Sequence, residues 1–429
     1  MKFMTASALV ALQFSACSFA VAQDAVPAAG DAIIVTGTRD AKRTKFDALA
    51  PIDVLSSKAI DGSVSNDLSD TLAQLLPSFN VQRLPAADGQ AFVRPATLRG
   101  LSADQTLVLV NGKRYHRSAL LGTRGAQSAD LATIPNLAIK RIEVLRDGAS
   151  AQYGSDAIAG VVNIILDDQP GMEAYGQFSQ YYEGDGTTYQ SGAQGGLALG
   201  DRGSIVFTGE FSKSDATSRT RQRPDAAAFQ AANPDLDVPN PVQRWGQPNL
   251  RSVRAGVNAH YDFSDAVTLY AFGTAGNGEG VTDFNWRNPA STANVYGNSS
   301  AFPGFNFASL YPAGFTPRFG GSLEDTSVFA GAKGTWEDWY WDVSGSWGRN
   351  EINFTIYNTV NASLGAAQPA GLRFSPGGNT QTEKGVNFDV GRDIETTFTA
   401  QPLRLSAGAE WREESFEVKA GDAASTGIG

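Results

Sequence analysis

The chain has one cysteine, Cys17, and two histidines, His116 and His260, among 429 residues. A lone thiol excludes a disulfide framework within the chain and a cysteine-ligated metal site. Two histidines far apart in sequence leave little acid–base or metal-ligating chemistry, so no metal site and no cofactor are expected. Basic residues are also scarce: 34 Lys and Arg stand against 44 Asp and Glu, a formal charge of −10. That balance argues against electrostatic nucleic-acid binding by the whole chain. Beyond the amino terminus no run of about 18 consecutive apolar residues exists, so no transmembrane helix is expected. The Gly-x-Ser-x-Gly elbow is missing and no persuasive triad replaces it, so no catalytic residue is assigned.

What the chain has in quantity is glycine, 46 residues, together with 24 Phe, 12 Tyr and 7 Trp. Glycine-rich, aromatic, acidic chains without long apolar runs suit outer-membrane β-barrels, whose strands alternate in polarity and whose aromatics gather at the membrane interfaces. The amino terminus agrees. "MKFMTASALVALQFSACSFAVAQ" has Lys2, an apolar run and Ala20-Val21-Ala22, the layout of a secretory signal cut after Ala22. Its alternatives are a buried amino-terminal helix and a lipoprotein signal around Cys17.

Two textures follow. Residues 24–170 read as a compact mixed α/β unit. "SNDLSDTLAQLLPSF" (65–79) predicts a helix capped by Ser65 or Asn66, with Asp67 and Asp70 at its positive end and Pro77 after it. "TLVLVNGKRY" (106–115) predicts a strand entering a tight turn at Asn111 and Gly112. "IKRIEVLR" (139–146) and "GVVNIIL" (160–166) predict further strands.

From residue 171 strands of about ten residues alternate apolar and polar side chains. In "SVRAGVNAHYDF", Val253, Ala255, Val257, Ala259, Tyr261 and Phe263 share one face. Arg254, Asn258 and His260 are on the other. "LRLSAGAEWR" repeats the pattern with Leu403, Leu405 and Trp411. Short turns near 200–203 and 263–265 alternate with long connections near 215–250, 276–325 and 358–384, the asymmetry of a membrane barrel.

The stretch "EVLRDGASAQYGSDAIAGVVNIIL" (143–166) invites comparison with a phosphate loop. It fails the test. Gly148 and Gly154 are not followed by Lys-Ser/Thr, no Gly-x-Gly-x-x-Gly is present, and Asp147 and Asp156 would repel a phosphate. Its glycines suit turns and close backbone approach instead.

This stretch resembles the plug domain of TonB-dependent outer-membrane receptors. So do "IIVTGTR", "LRGLSADQTLVLVNGKRYHRSALLG" (98–122) and "IPNLAIKRIEVLRDGAS" in their order. The resemblance implies an α+β plug domain followed by antiparallel transmembrane β-barrel strands. The expected division is a signal peptide over 1–22, a flexible leader over 23–45, a plug over 46–170 and a partial barrel over 171–429. It also implies a bacterial outer-membrane location. The implied partners are a scarce nutrient such as an iron chelate, and TonB with its inner-membrane energising complex.

Ile33, Ile34, Val35, Thr36 and Gly37 match the TonB box. A β-branched extended segment can add to another protein's sheet edge, although such a run can also pair within its own domain. Arg99 and Arg146 match plug arginines that face barrel carboxylates, with Glu143 close to Arg146. By position in the resemblance, Asp104, Gln105, Arg114, Tyr115, His116 and Arg117 are ligand-contact candidates; the basic cluster equally fits a solvated loop face. About nine barrel strands are expected against about 22 in plugged transporters, so the chain reads as the amino-terminal part of a receptor. The alternative is a secreted or surface-exposed β-structured adhesin or structural module without transport. It would need no detergent for extraction.

Overall fold

The computed structural model describes Thr36 and residues 51–63, 65, 67–81, 88–94, 97–122, 125–297, 300–397 and 402–427. The expected signal peptide, and all of the leader except Thr36, lie outside the described residues.

The amino-terminal domain is built on a five-stranded sheet. Its strands are β1 (Ile52–Ser56), β4 (Thr106–Val110), β5 (Lys113–Arg114), β6 (Ile139–Leu145) and β7 (Gly160–Leu166), in the order β1-β6-β7-β4-β5. β4 and β7 run parallel and the other neighbours antiparallel. A separate short ladder joins β2 (Phe79–Asn80) to β3 (Thr97–Leu98). Every residue of β4 is buried, as its unbroken apolar run requires of a strand covered on both faces. The expected turn forms at Asn111 and Gly112, with φ of 48° and 78°, the left-handed pair that a two-residue hairpin needs.

Helix α1 (Ser57–Asp61) follows β1, and α2 (Leu68–Leu75) covers the sheet. The α2 cap differs from the expectation. Asp67 accepts from the Ser69 N–H at 2.9 Å, while the Ser65 hydroxyl turns to Asp67 N and Asp70. A carboxylate on the cap gains from both the bond and the helix dipole, so the helix starts one or two residues later than the pattern suggested. Leu68 and Leu72 are fully buried with Leu98, Ile134, Ile142, Val162 and Ile164. The stretch that could have been a phosphate loop is a structural turn. Gly160 sits at φ 145°, and a Cβ there would lie 2.2 Å from the Leu145 carbonyl oxygen.

Nine strands then form one antiparallel sheet in chain order. They are β8 (Gly171–Ser179), β9 (Thr188–Ala198), β10 (Gly203–Ser214), β11 (Asn249–Ser264), β12 (Val267–Asp283), β13 (Arg318–Trp336), β14 (Trp339–Tyr357), β15 (Arg373–Ile394) and β16 (Leu403–Ala420). Among the described residues the sheet is not closed, and its outer edges are β8 and β16. Most strands exceed the expected ten residues; β11 has 16 and β15 has 22. About ten residues suffice to cross a bilayer, so the longer strands exceed the length that such a crossing needs.

The alternation is realised as read. Val253 and Phe263 are 50% and 65% exposed on the outward face, while Arg254 between them in the pattern is 4% exposed, facing the amino-terminal domain. The two domains share apolar packing, because Phe272 and Phe329 of the large sheet stack at 4.6 Å inside the amino-terminal core. Short turns at one end of the sheet contrast with folded connections at the other. There a helix α3 (Pro224–Ala232) packs against Trp286, and Tyr296, Phe307 and Phe315 form a further cluster.

Candidate functional site at the domain seam

Residues 113–119 leave the Asn111–Gly112 turn and run along the inward faces of β12 to β16. Their side chains find a wall carboxylate or amide at almost every step. Lys113 Nζ donates to Asp342 Oδ1 at 2.9 Å, and the Tyr270 hydroxyl donates to the same oxygen. Arg114 spans both domains, with Nη1 2.6 Å from Asp156 Oδ2 and Nε 3.3 Å from Glu410 Oε1. The Tyr115 hydroxyl donates to Asp325 Oδ1 at 3.0 Å and lies 2.8 Å from Thr274 Oγ1. His116 Nε2 lies 2.8 Å from Asp325 Oδ2. Arg117 donates to Glu383 Oε1 through its backbone N–H and Nε, and pairs with Glu414. Asn350 closes the group, accepting from Ala119 N and donating to Asp325 Oδ2.

The His116 ring needs a wall residue without a side chain. A Cβ on Gly348 would lie 2.4 Å from His116 Cγ. Gly348→Ala is therefore expected to displace the ring and break its contact with Asp325. The check is loss of the downfield imidazole proton signal of that pair with the β14 amide shifts otherwise retained.

A second contact lies on the other side of the domain. Glu210 on β10 is fully buried and accepts from the backbone N–H groups of Asn136 and Leu137 at 3.0 and 2.9 Å. These donors open a 3₁₀ turn, Asn136–Ala138, where backbone N–H groups lack partners within the turn. Arg254 Nη2 stands 3.0 Å from Glu210 Oε2, an ion pair without hydrogen-bond alignment, and Nη1 reaches the Ala132 and Ile134 carbonyls at 3.4 Å. Nearby, a cavity of about 90 Å³ separates Phe92, Asp130 and Thr133 from Ser212, Ser252 and Gly278.

Burial sets the ionisation of the seam. Loss of water pushes Asp130 up to about 7, helped by the Asp325 and Asp67 charges and opposed by the Ala132 N–H and Arg254. Burial opposes charging of His116, but the Asp325 carboxylate, with the Glu383 and Asp130 charges, outweighs it and its pKa rises above the ordinary value. The same carboxylate, after burial itself, drives the Tyr115 hydroxyl well above its usual range.

The remaining sequence candidates are distributed differently. Arg99 Nη1 lies 3.3 Å from Asp147 Oδ1, and Arg146 Nε lies 2.8 Å from Asp53 Oδ2, so both ion pairs are internal to the amino-terminal domain. Glu143 is fully buried, 2.9 Å from Arg141 Nε. Asp104 is exposed, and the Gln105 carbonyl accepts from Ala159 N. Of residues 33–37 only Thr36 is described; it is buried against Glu143. The structure brings Arg114, Tyr115, His116 and Arg117 together at the wall, where two of the four are buried rather than forming a solvated face. Glu210, Asp325, Asn350 and Glu383 were not singled out in the sequence. Their signal, a polar residue on the inward phase of a strand, is shared by neighbours such as Thr208 and Ser327.

The geometry is that of a plug held against a β-barrel wall by buried charge and hydrogen bonds. Residues 44–161 match the family model TonB-dependent Receptor Plug Domain. Among solved structures the fold is similar to the siderophore receptor PirA from Acinetobacter baumannii. That match has 18% identity and a TM-score of 0.58, covering 85% of this chain and 48% of that one. It is also similar to a variant of the ferric enterobactin receptor PfeA from Pseudomonas aeruginosa, at 18% identity and a TM-score of 0.56, covering 88% and 50%. The chain thus spans about half the length of these receptors. It carries a TonB-dependent receptor plug domain, joined to nine strands with the fold of part of such a receptor's transmembrane barrel.

Proposed function

We propose that the protein acts in a TonB-dependent outer-membrane receptor that takes up a scarce small nutrient, such as a ferric siderophore. The plug match at residues 44–161 carries this reading, supported by the plug's seating on the wall through Glu210, Asp325 and Glu383. In this reading no bond of the nutrient is made or broken. The wall and plug hold a closed state through paired buried charges, which are costly to break singly and therefore define two discrete arrangements. Force delivered by TonB to residues 33–37 would shift the plug between them. Residues 113–117 then serve plug seating, and the exposed Asp104 is better placed than Tyr115 or His116 to meet a solute.

Strand addition by the leader is directly testable. Ile34→Pro or Val35→Pro removes a backbone donor and is expected to abolish capture of the chain by an immobilised TonB carboxy-terminal domain. Unchanged capture by both variants would refute residues 33–37 as the binding segment. Extraction separates the membrane reading from a soluble surface module: release from membranes in high-salt buffer without detergent would contradict a barrel.

A further inference from the structure

Thr36 lies far from the rest of the described plug in sequence, yet it is fully buried. Its N–H and its hydroxyl both donate to Glu143 Oε2, at 3.0 and 2.7 Å. Its hydroxyl also accepts from Asn163 Nδ2 at 2.9 Å. Glu143 and Asn163 are register partners on β6 and β7, and both are fully buried, Asn163 in an otherwise apolar strand and Glu143 between Ile142 and Val144. Polar groups at such positions carry a desolvation cost unless partnered. Here part of that partnership comes from one leader residue.

Asn163 has a second role. Its Oδ1 accepts from the Gly112 N–H at 3.0 Å. Gly112 belongs to the turn that launches residues 113–117 onto the barrel wall, and Asn111 Oδ1 ties the same turn to Leu166 N at 2.9 Å. One buried amide therefore touches the leader at its nitrogen and the base of the wall-seated segment at its oxygen. Rotating the amide to follow a departing Thr36 would remove the acceptor from Gly112.

We propose that Glu143 and Asn163 form a docking site for the leader at Thr36, and that Asn163 couples occupancy of this site to the Gly112 turn and so to the seating of residues 113–117 on the wall. Occupancy of the site keeps the leader on the plug. Departure of Thr36 removes two donors from the buried Glu143 carboxylate and one acceptor from the buried Asn163 amide, and the turn loosens as the amide rearranges. The use of this coupling in transport rests on the reading of residues 33–37 as the TonB-binding segment; the docking itself does not.

The test is backbone amide hydrogen exchange on the full chain folded in detergent micelles. Thr36→Val removes the hydroxyl while keeping the shape and the N–H. Exchange at residue 36 and at Gly112 is expected to rise about tenfold, with Val108 and Val162 in the sheet interior unchanged. Thr36→Ser restores the hydroxyl and is expected to restore protection at both positions. Three results would overturn the proposal. The first is faster exchange at residue 36 with Gly112 unaffected. The second is no change at residue 36. The third is equal acceleration in the Ser and Val variants, which would assign the effect to packing. TonB is absent from this experiment, so failure of wild-type capture by the TonB domain would remove the transport reading and leave the docking site standing.

Discussion

Glu210→Ala is expected to weaken seating of the plug by about 3–5 kcal/mol, the range found when one partner of a buried ion pair is removed. The carboxylate is fully buried and serves Asn136 N, Leu137 N and the Tyr175 hydroxyl, besides its ion pair with Arg254. Alanine leaves the Arg254 guanidinium, only 4% exposed, without its counter-charge and removes the Glu210 acceptor from two plug N–H groups. Glu210→Gln separates these contributions. It keeps an acceptor for the backbone but removes the charge, so its loss is expected to be smaller. Combining Glu210→Leu with Arg254→Met is expected to recover much of the loss, since replacing a whole buried pair by apolar groups is often neutral. All seven tryptophans lie at or beyond residue 245, so their fluorescence reports the wall, while proteolytic cleavage within residues 51–166 reports the plug. The expected result is faster plug cleavage at an unchanged tryptophan spectrum. Equal cleavage in wild type and Glu210→Ala would show that this contact does not hold the plug.

Much of the fold is legible in the sequence because local chemistry decides it. The run 160–166 becomes β7 with its boundaries intact, the Asn111–Gly112 pair makes its turn, and the alternation of 253–263 separates outward from inward residues. The seam is less legible, for a physical reason. "RYHR" is conspicuous, but the wall partners of Tyr115, His116 and Arg117 lie 159 or more residues away on strands whose inward faces all look alike. Alternation gives the face of a residue and says nothing about its height on the wall. Height depends on register across several ladders, and a shift of two residues would preserve every face while replacing Asp325 by another inward position. Gly348 shows the same limit. Its role is the space it leaves for His116, which exists only once the register is set.

The pH response of the seat is expected to run opposite to ordinary acid denaturation. His116 is 4% exposed, with Nε2 on Asp325 and Nδ1 buried without a partner. The groups facing it are Asp325 on β13, Asn350 and Gly348 on β14, Glu383 on β15, and Asp130 and Tyr115 on the plug. The net effect of these carboxylates raises its folded pKa above the ordinary 6.5. Such a group contributes fully below about 6.5 and loses its contribution as pH rises through the folded value. Asp130 acts in the same direction. With its pKa raised from 3.8 to about 7, the folded state holds its proton more tightly than the unfolded chain. Burial makes the ionised carboxylate costly, and this penalty, at most about 4 kcal/mol, builds up between these two values as pH rises. Plug seating is therefore expected to tighten on acidification from pH 9 to pH 5, measured as the urea concentration that releases the plug to protease. His116→Gln is expected to flatten the part of this curve above pH 6.5. Asp130→Asn is expected to flatten the part below pH 7. If His116→Gln keeps the wild-type slope above pH 6.5, the ion pair with Asp325 does not govern seating, and the hydrogen bonds of Tyr115 and Asn350 must hold Asp325 by themselves.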